Sequence, residues 1–156
     1  MKKNIILIVT CIAFLAVFFV AFFGTLPENI EPIVYISNVA IKGMDGNEIA
    51  NKTQDGRKLL MIDYKEEGKD ADGVGYMAYF FTTTILPENS TSRAISYYLG
   101  SENKYISLVN DRGGALMIKP LDDPEEHYFS STIYCKANDA GPNGVEDAVL
   151  LLVHYA

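Results

Sequence analysis

The sequence is poor in cysteine, lacks tryptophan and has no basic residue between Lys3 and Lys42. Each absence excludes something. Of the two cysteines, Cys11 lies in an N-terminal hydrophobic run, which leaves Cys135 alone in the remainder. One thiol cannot close an internal disulfide, so that part of the chain must hold itself together by packing. Such low cysteine use fits a bacterial surface protein better than an animal secreted one. Beyond Lys3 there are eleven basic against twenty acidic residues, a net charge of −9. A domain so charged repels nucleic acid and anionic lipid headgroups, and no nucleic-acid partner is expected. The acidity suits a soluble face in a wall or extracellular space, and solubility alone would also explain it. No sustained helical period occurs after the first two dozen residues.

What is present divides the chain into three. Residues 5–24 read IILIVTCIAFLAVFFVAFFG, without a charge. As a helix this run would be about 30 Å long, matching a hydrocarbon core. Lys2 and Lys3 precede it, so the positive-inside rule leaves the N-terminus in the cytoplasm and exports the rest. Residues 1–24 are therefore expected to be a signal anchor, 25–32 a linker and 33–156 the exported domain. Two other readings compete. A cleaved signal peptide needs small residues before the cut, where Phe22 and Phe23 stand. A lipoprotein would use Cys11 after Ile8-Val9-Thr10, but the preceding apolar run is too short. Residues 25–32 (TLPENIEP) hold two prolines, which predicts a stiff, extended tether.

The remaining stretch, about 125 residues with many Ile, Leu, Val, Tyr and Phe, suits one folded domain and argues against disorder. Its pattern is strand, turn, strand. Strands are expected at 33–41, 59–64, 76–86, 94–99, 105–109, 116–118, 128–137 and 147–155. Gly43-Met44-Asp45-Gly46, Asn110-Asp111-Arg112-Gly113-Gly114 and residues 138–144 mark turns. Charged, glycine-rich residues 65–75 and acidic residues 121–127 read as loops. Seven or so strands in this length predict an all-β, immunoglobulin-like sandwich behind one transmembrane helix.

A family pattern adds to this. Pro87, Asn89 and Thr91 form a turn, followed by Ile95-Ser96-Tyr97, by Ile106-Ser107-Leu108-Val109 and by Gly113. The stretch Ile36 to Gly43 opens the pattern, and Ser131 to Ala137 with Ala148 to Val153 closes it. Over about residues 33–153 the chain resembles the bacterial immunoglobulin-like domains of group 2, found in invasin- and intimin-like surface proteins. The family often has Trp where Tyr97 stands. The charged insert 65–75 and the acidic loop 121–127 depart from its compact form. The resemblance implies the sandwich and a surface role. It supplies no catalytic residues, and family members differ in what they bind.

Candidates for chemistry are few. Cys135 with His127 suggests a thiol enzyme, and Thr132-Ile133-Tyr134-Cys135 resembles the strand before the sortase cysteine. That resemblance would require a His far upstream and an Arg after the cysteine, and neither is present. A small core residue on a strand is the expected role. Asp70-Ala71-Asp72-Gly73 begins like a calcium loop, but no Glu completes it. Asn138 and Asp139 near Pro142 faintly resemble a cadherin-type calcium site, and Asp122, Asp123, Glu125 and Glu126 form another acidic cluster; both are read as solvated loops. His154 is an ordinary strand residue. Tyr76, Tyr79, Phe80, Phe81, Tyr97 and Tyr98 are expected to form core plus one sheet face, with a binding patch if several tyrosines lie exposed together. Asn51-Lys52-Thr53 and Asn89-Ser90-Thr91 match the glycosylation pattern, which is irrelevant in a bacterium. No catalytic, cofactor-binding or metal residue is assigned. The functional expectation is a non-enzymatic adhesive, structural or envelope-complex module with a protein or envelope partner. An anchored thiol enzyme using Cys135 is the alternative.

Overall fold

The computed structural model describes residues 2–24 and 31–156, with side chains at 10–19, 21, 24, 31–142 and 144–156. The chain forms two compact units, Met1–Pro32 and Ile33–Ala156. The first holds one helix, α1 (Lys2–Phe23), 22 residues long. At 1.5 Å per residue it is about 33 Å in length. Among the described residues no helix is long and apolar enough to cross a membrane. The stiff linker expected at 25–32 lies outside the described residues except for Glu31 and Pro32.

The second unit contains ten strand segments: β1 (Asn38–Lys42), β2 (Lys58–Asp63), β3 (Gly68–Lys69), β4 (Gly75–Phe80), β5 (Thr82–Leu86), β6 (Ile95–Leu99), β7 (Ile106–Asn110), β8 (Ala115–Ile118), β9 (Tyr128–Ala137) and β10 (Glu146–His154). One four-stranded sheet runs β2-β10-β9-β6, the other β3-β4-β8-β7, and β1 pairs with β5. All pairings are antiparallel except β2 with β10.

With the two-residue β3 set aside, the ten segments reduce to a seven-stranded sandwich. β4 and β5 are one strand that changes partner at Phe81. The amide of Phe81 still donates to Gly114 beside β8, at 3.1 Å, and Thr82 onward pairs with β1. Side-chain alternation runs through the change, since Phe81 and Ile85 are buried while Phe80 and Leu86 are exposed. The single strand expected at 76–86 is thus continuous in face and divided in partner. β1 and β2 are likewise two parts of one edge. The chain leaves its pairing with β5 after Lys42, makes the polar excursion 43–57 and pairs with β10 from Lys58.

Two expectations need correction. The strand expected from 33 begins at Asn38. Val34 is instead bound to Thr91, its amide to Oγ1 at 2.8 Å and its carbonyl to the Thr91 amide at 2.9 Å, and the Ile36 amide reaches the Asp139 carbonyl at 3.2 Å. These are loop partners, which give no continuing ladder. Residues 65–75, expected to be loop, contain the short hairpin of β3 with β4. Its tip is closed by the Asp70 carboxylate, which accepts the backbone amides of Asp72 and Val74.

The core follows from the period of two. Ile133, Cys135 and Ala137 on β9 interleave with Val149, Leu151 and Val153 on β10, all facing Val39, Ile41, Leu116 and Ile118 of the other sheet. Ile118, Ile133, Cys135, Val149, Leu151 and Val153 are fully buried. One partly buried carboxylate clasps the β2-β10-β9-β6 sheet to β1. The Asp147 carboxylate on β10 meets the Lys58 ammonium on β2 at 2.5 Å and accepts the backbone amide of Ile41 on β1 at 2.7 Å.

Candidate functional site

The inward alternation of the β2-β10-β9-β6 sheet fixes what faces outward. Because β10 reads DAVLLLVH, burying Val149, Leu151 and Val153 leaves Leu150, Leu152 and His154 on the outside. The register then assembles rows across the sheet. Ala148 lies beside Tyr134, and Tyr134 beside Tyr98. Leu59, Leu150 and Thr132 form the next row; Met61, Leu152 and Ser130 the one after. Asp63, His154 and Tyr128 close one end, and Glu146, Lys136 and Ser96 close the other.

The result is an apolar centre with a polar rim. Tyr98 and Tyr134 stack with centroids 4.9 Å apart and planes 8° from parallel. The Tyr98 hydroxyl donates to Glu146, and this bond pushes its pKa up to about 12. At the opposite end His154 Nδ1 lies 2.9 Å from Asp63 Oδ1, with its ring stacked on Tyr128 at 4.9 Å. Met61 and Tyr128 are each 57% exposed and Tyr98 41%. From strand and row spacings, the three apolar rows cover on the order of 400 Å². That is within the range of the largest functional patches on single-domain proteins, and about half of one partner's share in a standard interface. The outer face of the opposite sheet also carries apolar groups, with Phe80 and Val109 exposed and Met117 between Ala78 and Ser107.

The aromatic cluster seen in the sequence is therefore split three ways. Phe81 and Tyr97 are core, and Tyr79 packs edge-on against Phe81 at 5.2 Å. Tyr76 and Phe80 alternate outward on the opposite sheet. Only Tyr98 joins the outer face, where it stacks on Tyr134 and where Tyr128 lies at the other end beside His154, two residues the sequence pattern did not group with it. Their signal was present, since both sit at even positions on β9, opposite in parity to the buried Ile133 and Cys135.

Cys135 is fully buried between the sheets, beside the Thr83 and Tyr97 hydroxyls, which bond to each other. Burial pushes the thiol up to about 11 and the Tyr97 hydroxyl up to about 12. His127 lies just before β9, its Nδ1 3.3 Å from the Tyr155 carbonyl. Eight residues of extended chain put it roughly 26 Å from Cys135. The structure does not bring the pair together.

Asp70 is occupied otherwise than by a metal. Its Oδ2 meets the Lys119 ammonium at 2.7 Å, and its Oδ1 accepts the amides of Asp72 at 3.0 Å and Val74 at 2.9 Å. The Lys119 hydrogen bond, then the Val74 amide, hold its carboxyl below the ordinary 3.8. Asp122 pairs with Lys104, and Asp123 caps the Glu125 amide at 2.9 Å. Asn138 exchanges hydrogen bonds with Ser96. Among the described residues, no three His, Cys, Asp or Glu side chains gather where they could hold a metal. Asn51 and Asn89 are both exposed, and Cys11 is exposed on α1.

No family model and no curated protein matches the chain. Solved structures do. A crystal structure of human CDH23 EC21-23 superposes with a TM-score of 0.51 at 12% identity, covering 76% of this chain and 35% of that one. A crystal structure of mouse cadherin-23 EC22-24 gives 0.52 at 12% identity, covering 76% and 33%. The chain thus spans about a third of the length of each. At this identity the likeness is one of fold: the second unit is an immunoglobulin-like β-sandwich, as cadherin repeats are. These neighbours give no support to the group 2 bacterial subtype.

Proposed function

We propose that this chain is a membrane-anchored, exported binding module that docks a protein of the same envelope on the outer face of the β2-β10-β9-β6 sheet. The observation that supports it best is that face, with three apolar rows closed by a polar row at each end. Its area suits a weak contact. A contact of that size becomes effective when both partners are confined to one surface, because tethering raises their effective concentration. The anchor would be α1, a reading that rests on the uncharged run 5–24 behind Lys2 and Lys3 in the sequence. The orientation follows from those two lysines. The resemblance to group 2 bacterial immunoglobulin-like domains and the cadherin-like fold both suit an adhesive or envelope role. The inward-facing, protonated Cys135 supports a non-catalytic reading over a thiol enzyme.

Charge placed in the centre of the face should abolish docking without touching the core. Leu152→Glu and Met61→Glu are expected to remove a higher-mass species from native gels of mild-detergent extracts, while Phe80→Glu on the opposite sheet leaves it. A complex that survives both substitutions, with the domain folded, would refute the assignment of the face.

A further inference from the structure

A second surface lies beyond the Ser96 end of the outer face, where three loops meet. The segment before β6, the β7–β8 turn and the β9–β10 loop converge there. The Asn138 amide donates to the Ala94 carbonyl at 2.9 Å, and the Tyr97 amide donates to Asp111. Between them is an open cleft of about 410 Å³ lined by Arg93, Ala94, Ile95, Arg112 and Asn138.

The charge of this cleft is opposite to that of the domain. The chain has three arginines, and Arg57 is ion-paired with Asp55 at 2.7 Å. Lys42, Lys58, Lys104 and Lys119 are also paired with carboxylates. Arg93 and Arg112 have no ion-pair partner among the described residues, and both face one cleft. Arg93 is steered without being neutralised, since its Nη1 donates to the Glu88 carbonyl at 2.9 Å. The Arg112 backbone is held by Asn110, whose Oδ1 accepts the Arg112 amide at 2.8 Å. In a domain of charge −9, two exposed guanidiniums without a carboxylate partner, lining one concavity, form a local site for an anion.

We propose that this cleft is a carboxylate-recognition subsite, with Arg93 and Arg112 as the forks. Guanidinium matches carboxylate and phosphate alike, as paired parallel hydrogen bonds. The surrounding charge discriminates between them: the domain's field repels a dianion about twice as strongly as a monoanion at the same distance. Ala94 and Ile95 supply an apolar wall for the methylenes of an acidic side chain.

Three arginines make the test direct. The Nε–Hε signals of the full-length chain in neutral detergent micelles would be followed by NMR during titration with acetate, with an amidated Gly-Glu-Glu-Gly peptide and with inorganic phosphate. Arg93 and Arg112 are expected to shift together along one saturating curve while Arg57 stays still. Equal affinity for acetate and peptide identifies a small carboxylate as the ligand, and tighter peptide binding identifies an acidic protein segment; either supports the subsite. Arg112→Lys should weaken binding about tenfold, because an ammonium keeps the charge and loses the fork. Phosphate binding tighter than carboxylate, shifts at Arg57 equal to the others, lack of saturation, or shifts that occur only with phosphatidylglycerol vesicles would each overturn it.

Discussion

The Asp147 clasp makes a quantitative prediction. Asp147 links β10 to β2 through Lys58 and to β1 through the Ile41 amide. Its side chain is 17% exposed and that of Lys58 26%, so water replaces either partner only in part. Asp147→Ala leaves the Ile41 amide without its acceptor, which costs about 1–3 kcal/mol. The stranded Lys58 can turn toward solvent, so its share is at most about 1 kcal/mol. The expected total is about 2–3 kcal/mol, or a melting temperature lower by about 8–12 °C for a domain of this size. Asp147→Asn keeps an oxygen for Ile41 and loses the charge, so it should cost only about 1 kcal/mol. Adding Lys58→Met to Asp147→Ala should cost less than the sum of the two single changes, because Lys58 has already lost its partner. Urea unfolding of the full chain in micelles, followed by tyrosine fluorescence, measures all of these. Equal losses for Ala and Asn would refute the role of the Ile41 bond. Losses under about 0.5 kcal/mol for both would show that the clasp contributes nothing.

Further predictions test other parts of the structure. Gly114 has φ +62°, and a Cβ there would lie 2.8 Å from Tyr97 Cζ, so Gly114→Ala should destabilise by more than about 1 kcal/mol in the same assay. Asp70 has a depressed carboxyl, so its support of the β3–β4 hairpin is complete above 3.8 and is lost as pH falls through its lower folded value. Amide exchange at Asp72 and Val74, corrected for the intrinsic rate, should quicken in that acidic window, and Asp70→Asn should reduce the pH dependence. Cys135 in a Cys11→Ala chain should resist iodoacetamide at about pH 8 until the domain unfolds. Ready labelling of the folded protein would revive the thiol-enzyme reading.

Local pattern made much of the sandwich legible. The expected strands at 128–137 and 147–155 differ from β9 and β10 by at most one residue, because β-branched and aromatic runs end there in strong turn signals. The Asn110–Gly114 hairpin was equally readable, since its glycines and Asn110 carry the turn. What local pattern could not show was partnership. The parallel pairing of β2 with β10 joins residues about ninety positions apart, and nothing within 58–63 reports it. The change of partner at Phe81 is invisible because the inward face never slips. The outer face was hidden for a related reason. Three consecutive leucines in β10 satisfy a core reading equally well, and only the sheet register shows Leu150 and Leu152 pointing out beside Leu59 and Met61. Asp70-Ala71-Asp72-Gly73 had the composition of a calcium loop, yet it closes a hairpin tip whose cation is Lys119.

The outer face is the centre of the account, and photocrosslinking in intact membranes tests it most directly. A photoreactive residue would replace Met61 on that face, Leu152 beside it, or Met117 on the opposite sheet. The account predicts one discrete protein adduct of the same mass from positions 61 and 152, and none from 117. Adducts from 117 with none from 61 and 152, or a diffuse smear equal at all three positions, would contradict it.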